Sequence, residues 1–238
     1  MTEPIQEDEE AKIRLLERMF QEGSVSRDQI KRISGFETPE LEKLLGEGFV
    51  KADGSYFGSG THYFPTQKAK KYLTDLGVKV YVPLLQRAPL KNELHDEALR
   101  NLRIGFEDMS YKVWQSERCL RQRGMVEFTP DGILELGRRK IAIELEFSGK
   151  TIVQYRKRFE FYQNHPAIDA VLYFVATPNL REMLREIMRD YPKIFMVLHK
   201  NFIEHGKNAY VERPGFPGVL CLWKFLESIR KKEVCISF

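Results

Sequence analysis

The stretch TPDGILELGRRKIAIELEFSGK, residues 129–150, holds two runs of alternating character joined by a turn-forming GRRK. Side chains alternate between the two faces of a strand. In 140–147, Ile141, Ile143, Leu145 and Phe147 therefore share one face, and Ala142, Glu144 and Glu146 share the other. A hairpin through 137–140 pairs the two runs antiparallel and brings Asp131, beside the Pro130–Gly132 turn, to the Glu144/Glu146 end. Three carboxylates meeting at one sheet end form an oxygen-rich site suited to Mg²⁺ or Mn²⁺. One or two such ions activate a water and stabilise the leaving oxygen of a phosphodiester. The same residues permit a second reading, a half-exposed strand whose acids pair with Arg138, Arg139 or Lys157.

Outward from this pair the pattern continues as alternating helices and strands. Upstream, ELHDEALRNLRIGFEDM is expected as a helix with Leu94, Ala98, Leu102 and Phe106 on one face, followed by a strand in YKVWQSE. Downstream come a basic helix, KTIVQYRKRFEFYQ, a strand in AVLYFVAT, a helix in NLREMLREIMRDY and a strand in IFMVLHK. The order α-β-β-β-α-β-α-β predicts an α/β unit, a mixed sheet flanked by helices. Beyond residue 200 the pattern is weaker, although GVLCLWKFLESI should pack onto the core, and Trp114 and Trp223 read as core residues. Lys150, Arg156, Lys157 and Arg158 fall along the basic helix with Tyr155 and Tyr162; they can meet phosphates or form a solvated face.

Pro130-Asp131, twelve residues, then Glu144-Leu145-Glu146 resembles the motif of the PD-(D/E)XK nuclease superfamily. The resemblance implies that Asp131 and Glu144 are metal ligands and that Glu146 stands where a lysine usually orients the attacking water. Some restriction endonucleases of the superfamily carry Glu there and remain active. Lys150, one turn beyond on the following helix, is then the candidate for the missing ammonium. Glu97 or Glu117 would be the further acid that members place on the first core helix or strand. Over most of its length the chain also resembles the replication-relaxation family of plasmid and mobile-element proteins, through LHDEALRNLRI, WQSE, PDG and IELEFSGKTIVQYRKRFEFY. That resemblance implies an amino-terminal winged helix joined to a nuclease-like core, and a role on DNA.

The amino-terminal residues agree with that expectation in element order. A helix with Ile13, Leu15, Leu16, Met19 and Phe20 ends at Gly23; SVSRDQIKRISG and ETPELEKLLGEG add two more, capped by Ser26 and Thr38. FVKADGSYFGSGTHYFP reads as two strands about a Gly-rich loop, and TQKAKKYLTDLG as a fourth helix capped by Thr66. This order resembles a winged helix-turn-helix domain, whose third helix usually enters the major groove. Here that helix carries Glu37, Glu40, Glu42 and Glu47 against Lys43 alone, which repels phosphate. If this domain binds DNA, contact is expected instead from the wing and the flanking helices, through Arg27, Lys31 and Arg32 of the second and Lys68, Lys70 and Lys71 of the fourth. The alternative is a protein-binding or dimerising winged helix. The expected organisation is an acidic tail at 1–9, a winged helix domain at 10–77, a linker at 78–92 and the nuclease-like domain at 93–238.

Composition narrows the function classes. At 42% hydrophobic and 30% charged residues the chain reads as globular. No run approaches the ~20 apolar residues of a membrane span, and the acidic start is unlike a secretory signal, so a cytoplasmic protein without a membrane partner is expected. The net charge is +4 despite five acids in the first ten residues, and the basic body permits contact with nucleic acid. Cys119, Cys221 and Cys235 are scattered and suggest neither a disulfide framework nor a zinc site. GSYFGSG lacks a following Lys-Ser/Thr, which excludes a phosphate-binding loop. His95, beside Asp96, reads as a helix-start residue with a local partner.

Overall fold

The computed structural model describes residues 4–54, 60–80, 93–124 and 128–231. The Gly-rich loop at 55–59, most of the expected linker and Cys235 lie outside the described residues. The chain divides into two compact units, Met1–Ile104 and Gly105–Phe238.

In the amino-terminal unit the order is α1 (Pro4–Glu22), β1 (Val25–Ser26), α2 (Arg27–Ser34), α3 (Thr38–Gly46), β2 (Val50–Asp53), β3 (His62–Pro65) and α4 (Gln67–Asp75). The three strands form an antiparallel sheet in the order β1-β3-β2. Leu15, Leu16, Met19 and Phe20 of α1 are buried with Ile30, Leu41, Leu44 and Leu73 of the other helices. Ser26 caps α2 in a reciprocal box with Gln29, and Thr66 caps α4 by accepting from the Ala69 amide. Three details differ from the sequence reading. Helix α1 already includes much of the acidic segment. At α3 the cap is Glu37, whose amide donates to Glu40, and Thr38 is the first helical residue. The pairing of β1 with β3, only two residues long, is too short to leave a periodic signal.

The first three turns of α5 (Glu93–Asp108) belong to this unit, so the division falls within the helix and not at the linker. Polar contacts explain it. Arg100 donates to Gln29, Gln29 donates to Asn101 and to the Glu97 carbonyl, and Arg103 is held by Gln21 and Glu22. Leu94 is 72% exposed, contrary to its expected place on the apolar face, which runs instead through Leu99, Leu102 and Phe106.

The second unit continues with β4 (Trp114–Ser116), α6 (Glu117–Gln122), β5 (Gly132–Leu136), β6 (Arg139–Glu146), α7 (Ile152–Asn164), β7 (Ala170–Val175), α8 (Pro178–Met188), β8 (Ile194–Leu198) and α9 (His199–His205). It ends in β9 (Tyr210–Glu212), β10 (Val219–Cys221) and α10 (Leu222–Lys231). One seven-stranded sheet runs β10-β9-β8-β7-β6-β5-β4, parallel at β6–β7 and β7–β8 and antiparallel elsewhere. Both faces are covered, which is why all six residues of β7 are buried and apolar or aromatic. On one face Ala142, Tyr173 and Met196 pack with Tyr155, Phe159 and Tyr162 of α7 and Leu184 of α8. On the other, Phe106 packs against Trp114, Phe174 and Phe202, and Phe195 meets Phe225 of α10.

The expected strand at 111–117 is shorter than its pattern, because Glu117 opens α6 and pairs with Arg121 one turn on. Helix α10 packs as expected through Leu222, Phe225 and Leu226, but Trp223 is 41% exposed and not a core residue. His95 has the local partner expected, with Nδ1 3.5 Å from Asp96. Among the described residues no helix is long and apolar enough to cross a membrane.

Candidate functional site

The register Gly132↔Ile143 places Asp131 opposite Glu144, where the β5–β6 pair ends. The Leu145 amide donates to Asp131 Oδ2 at 2.7 Å, fixing that carboxylate between the two acids of β6. Gly132 leaves room for the Trp114 ring, since a Cβ there would stand 2.3 Å from Cζ2 of Trp114. The glycine of the PDG motif is thus explained by a tryptophan lying over its backbone. Alternation along β6 holds as read: Ala142 belongs to the cluster facing α7, and Glu144 and Glu146 follow on that face.

Both strand acids are buried, Glu144 to 2% exposure and Glu146 to 4%, and neither is bare. Tyr162 donates from its hydroxyl to one Glu144 oxygen, and Arg158 donates to the other at 2.7 Å. Lys150 donates from its ammonium to Glu146. Lys150 is not on the helix. Thr151 caps α7 by accepting from the Gln154 amide, so the helix starts at Ile152 and Lys150 stands in the preceding loop. There its amide donates to the Tyr155 hydroxyl at 3.2 Å, and its ammonium lies 5.7 Å from that ring's centroid.

The electrostatics follow from burial. Loss of water, then the negative charge of Asp131, pushes the Glu144 carboxyl up to about 8, against the pull of Arg158, Tyr162 and Lys150. Burial is the largest influence on Arg158 and works against its charge, yet Glu144, Tyr173, Tyr162 and Asp131 together outweigh it and raise Arg158 above its ordinary value. Tyr155 is pushed up to about 12, chiefly by burial. The Tyr173 hydroxyl, on the neighbouring strand in register with Glu144, is fully buried and has no hydrogen-bond partner among the described residues. Burial and the charges of Glu144, Glu146 and Asp131 keep Tyr173 neutral. Three acids thus face two cations and a tyrosine hydroxyl with spare hydrogen-bonding capacity.

Asp131 stands opposite Glu144 at the end of the β5–β6 pair, with Glu146 two residues on and Lys150 paired to it from the loop before α7. Glu117 is less directly engaged: its amide donates to the Asp131 carbonyl at 3.1 Å, but its carboxylate takes the Arg121 guanidinium at 2.6 Å. Glu97 belongs to the amino-terminal unit. The partners of the acids also differ from the alternative reading. Arg138 and Lys157 are exposed and Arg139 pairs with Asp169, while Arg158, Tyr162 and Lys150 hold the buried acids. Arg158 and Tyr162 are one helical turn apart, which puts both on the side of α7 that packs over β6.

In the amino-terminal unit several of the cations considered for DNA have partners. Lys31 pairs with Glu37 at 2.6 Å, Arg27 donates to Thr38, and Lys68 donates to the Glu47 carbonyl at 2.6 Å beside the Phe49 ring. Arg32 and Lys71 are exposed and Lys70 is half-buried; on α7, Arg156 is exposed like Lys157. The positive charges of α2 are therefore drawn partly toward the acidic α3.

The donors at the β5–β6 end are oxygen only. Among the described residues no group of three or more His, Cys, Asp or Glu side chains is arranged to hold a metal ion. Arg158 and Lys150 each occupy an oxygen of Glu144 and Glu146. In comparisons with known proteins, no family model, curated protein or solved structure matches this chain.

Proposed function

We propose that this is a DNA-binding protein whose α/β unit is a PD-(D/E)XK-like, metal-dependent nuclease core, consistent with the resemblance to replication-relaxation proteins. The observation that carries the reading is the meeting of Asp131 and Glu144 across β5–β6, with the Asp131 carboxylate anchored on the Leu145 amide. The order α5-β4-β5-β6-α7-β7, interrupted among the described residues by the short α6, supports it, with β4–β5–β6 antiparallel and β7 parallel to β6.

Asp131 and Glu144 would hold Mg²⁺ or Mn²⁺. A hard oxygen donor set fits such an ion, and the unpartnered Tyr173 hydroxyl beside Glu144 adds a polar atom able to bond a water there. When bound, the ion supplies a Lewis acid and lowers the pKa of its water. The chain's own residues do the rest. Glu144 must give up the proton that burial favours and release Arg158, whose guanidinium is then free to fork onto a phosphate. Lys150, held on Glu146, would orient the attacking water from the loop before α7. In the amino-terminal unit, three helices, the β1-β3-β2 sheet and the closing α4 support a winged helix, with α2 and α4 offering Arg32, Lys70 and Lys71 to the backbone.

A second reading, a catalytically silent regulator of replication or transcription, is favoured by the closure of Glu144 and Glu146 by Arg158 and Lys150. Incubation of the purified chain with supercoiled plasmid and Mn²⁺ or Mg²⁺ separates the two. Nicking that disappears in Glu144→Ala supports the enzyme. Salt-sensitive DNA binding without nicking supports the regulator, and no DNA binding even at low salt leaves a protein-interaction module built on the acidic α3.

A further inference from the structure

Outside the acid cluster, Phe128, Phe161 of α7 and His165 just past its end form a row of rings. Arg158, which holds Glu144, also lies 5.9 Å from the centroid of Phe128, within cation–π range. Phe128 meets Phe161 at 5.3 Å, and Phe161 meets the imidazole of His165 at 5.2 Å. All three rings are half-buried and border an open cavity of ≈ 660 Å³, with the exposed Lys157 on its rim. Phe161 packs its inner side on the core, so its position is fixed.

Half-buried rings at an open cavity with a lysine on its rim, and an arginine against the Phe128 ring, suit a flat heterocycle joined to a phosphate. Bases stack on such rings with little regard to sequence, and cations beside them take the backbone. Arg158 links the two halves, since the same guanidinium touches the ring row and the acid that faces Asp131. Glu160 lines the cavity with Lys157, and its charge would turn a phosphate toward the lysine.

We propose that this groove is a stacking subsite for an unpaired base of a single-stranded nucleic acid, whose backbone crosses Lys157 and Arg158 toward Asp131 and Glu144. The assignment rests on the reading of the acid cluster as a phosphodiester site, and it adds a substrate class. A base inside a duplex is stacked and paired and cannot enter, so single strands, flaps or frayed ends are selected.

The test is fluorescence anisotropy of the full chain in EDTA with labelled oligothymidylate, oligouridylate and a blunt duplex. Phe161→Leu keeps the apolar packing and loses the ring; Phe161→Tyr keeps both. Phe161→Leu is expected to bind the single strands about tenfold more weakly, with duplex affinity unchanged and Phe161→Tyr like the native chain. A loss confined to one single-stranded arm also supports the subsite and identifies DNA or RNA as its ligand. Native affinity in Phe161→Leu, an equal loss on the duplex, or an equal loss in Phe161→Tyr overturns it. Binding without metal keeps the outcomes separate. A single-strand defect in a chain that never nicks plasmid retains the subsite and removes the enzyme. Nicking with no such defect does the reverse.

Discussion

Glu144→Gln replaces a buried carboxyl by a neutral group of the same shape, and its effect on stability depends on pH in a direction set by the site. The carboxyl is raised from 4.5 to about 8, first by burial and then by Asp131. A raised folded-state value means that the folded chain holds a proton the unfolded chain has released. The contribution of that proton is fully present below the unfolded value and is lost as pH rises from 4.5 to about 8. At 1.36 kcal/mol per unit, the native chain loses up to about 5 kcal/mol relative to Glu144→Gln across that window. Urea unfolding of both proteins in EDTA, from about pH 5 to pH 8.5, measures it, and subtracting the two curves cancels every other titrating group. The difference should grow with pH in favour of the glutamine variant and level off above about pH 8. A flat difference, or one that shrinks with rising pH, would mean that Arg158 keeps Glu144 ionised and that burial does not dominate.

Glu212 should behave in the opposite way. Burial works against its charge, but hydrogen bonds from Arg185 and Arg181 hold it below the usual carboxylate range. Glu212→Gln should therefore lower stability by about 1–2 kcal/mol at neutral pH, and the deficit should fade as urea titrations move down through the acid range where the native carboxylate protonates. Gly132→Ala should lower the urea midpoint by an amount equivalent to about 1–3 kcal/mol at unchanged slope, because its methyl would meet the Trp114 ring. An unchanged midpoint would show that the ring can move aside. Lys150→Met should slow single-turnover plasmid nicking by about a hundredfold while leaving DNA binding in EDTA intact; loss of binding instead would give Lys150 a backbone-contacting role.

The β5–β6 pair was legible because a period of two fixes which side chains share a face, and the GRRK turn carries Asp131 to the end of the hairpin where Glu144 and Glu146 lie. Helix caps were legible at Ser26 and Thr66, where a hydroxyl precedes a run of helix formers. Leu94 and Trp223 were misplaced because an apolar residue near a helix end can satisfy the period and still face outward, as their exposure shows. The short α6 was hidden by a strand-like run that stops one residue before Glu117. Arg158 stood among three consecutive cations with nothing in composition to distinguish it. The signal that could have done so is positional: Tyr155, Phe159 and Tyr162 set the buried face of α7, and Arg158 sits three residues after the first and four before the last.

The proposal of a metal-dependent site is tested most directly by an anomalous-scattering map of the crystallised chain soaked in Mn²⁺. The expected result is a peak bridged by Asp131 and Glu144, with the Arg158 guanidinium turned away from Glu144. Arg158 still seated on Glu144, with no manganese peak at saturating metal, would contradict it.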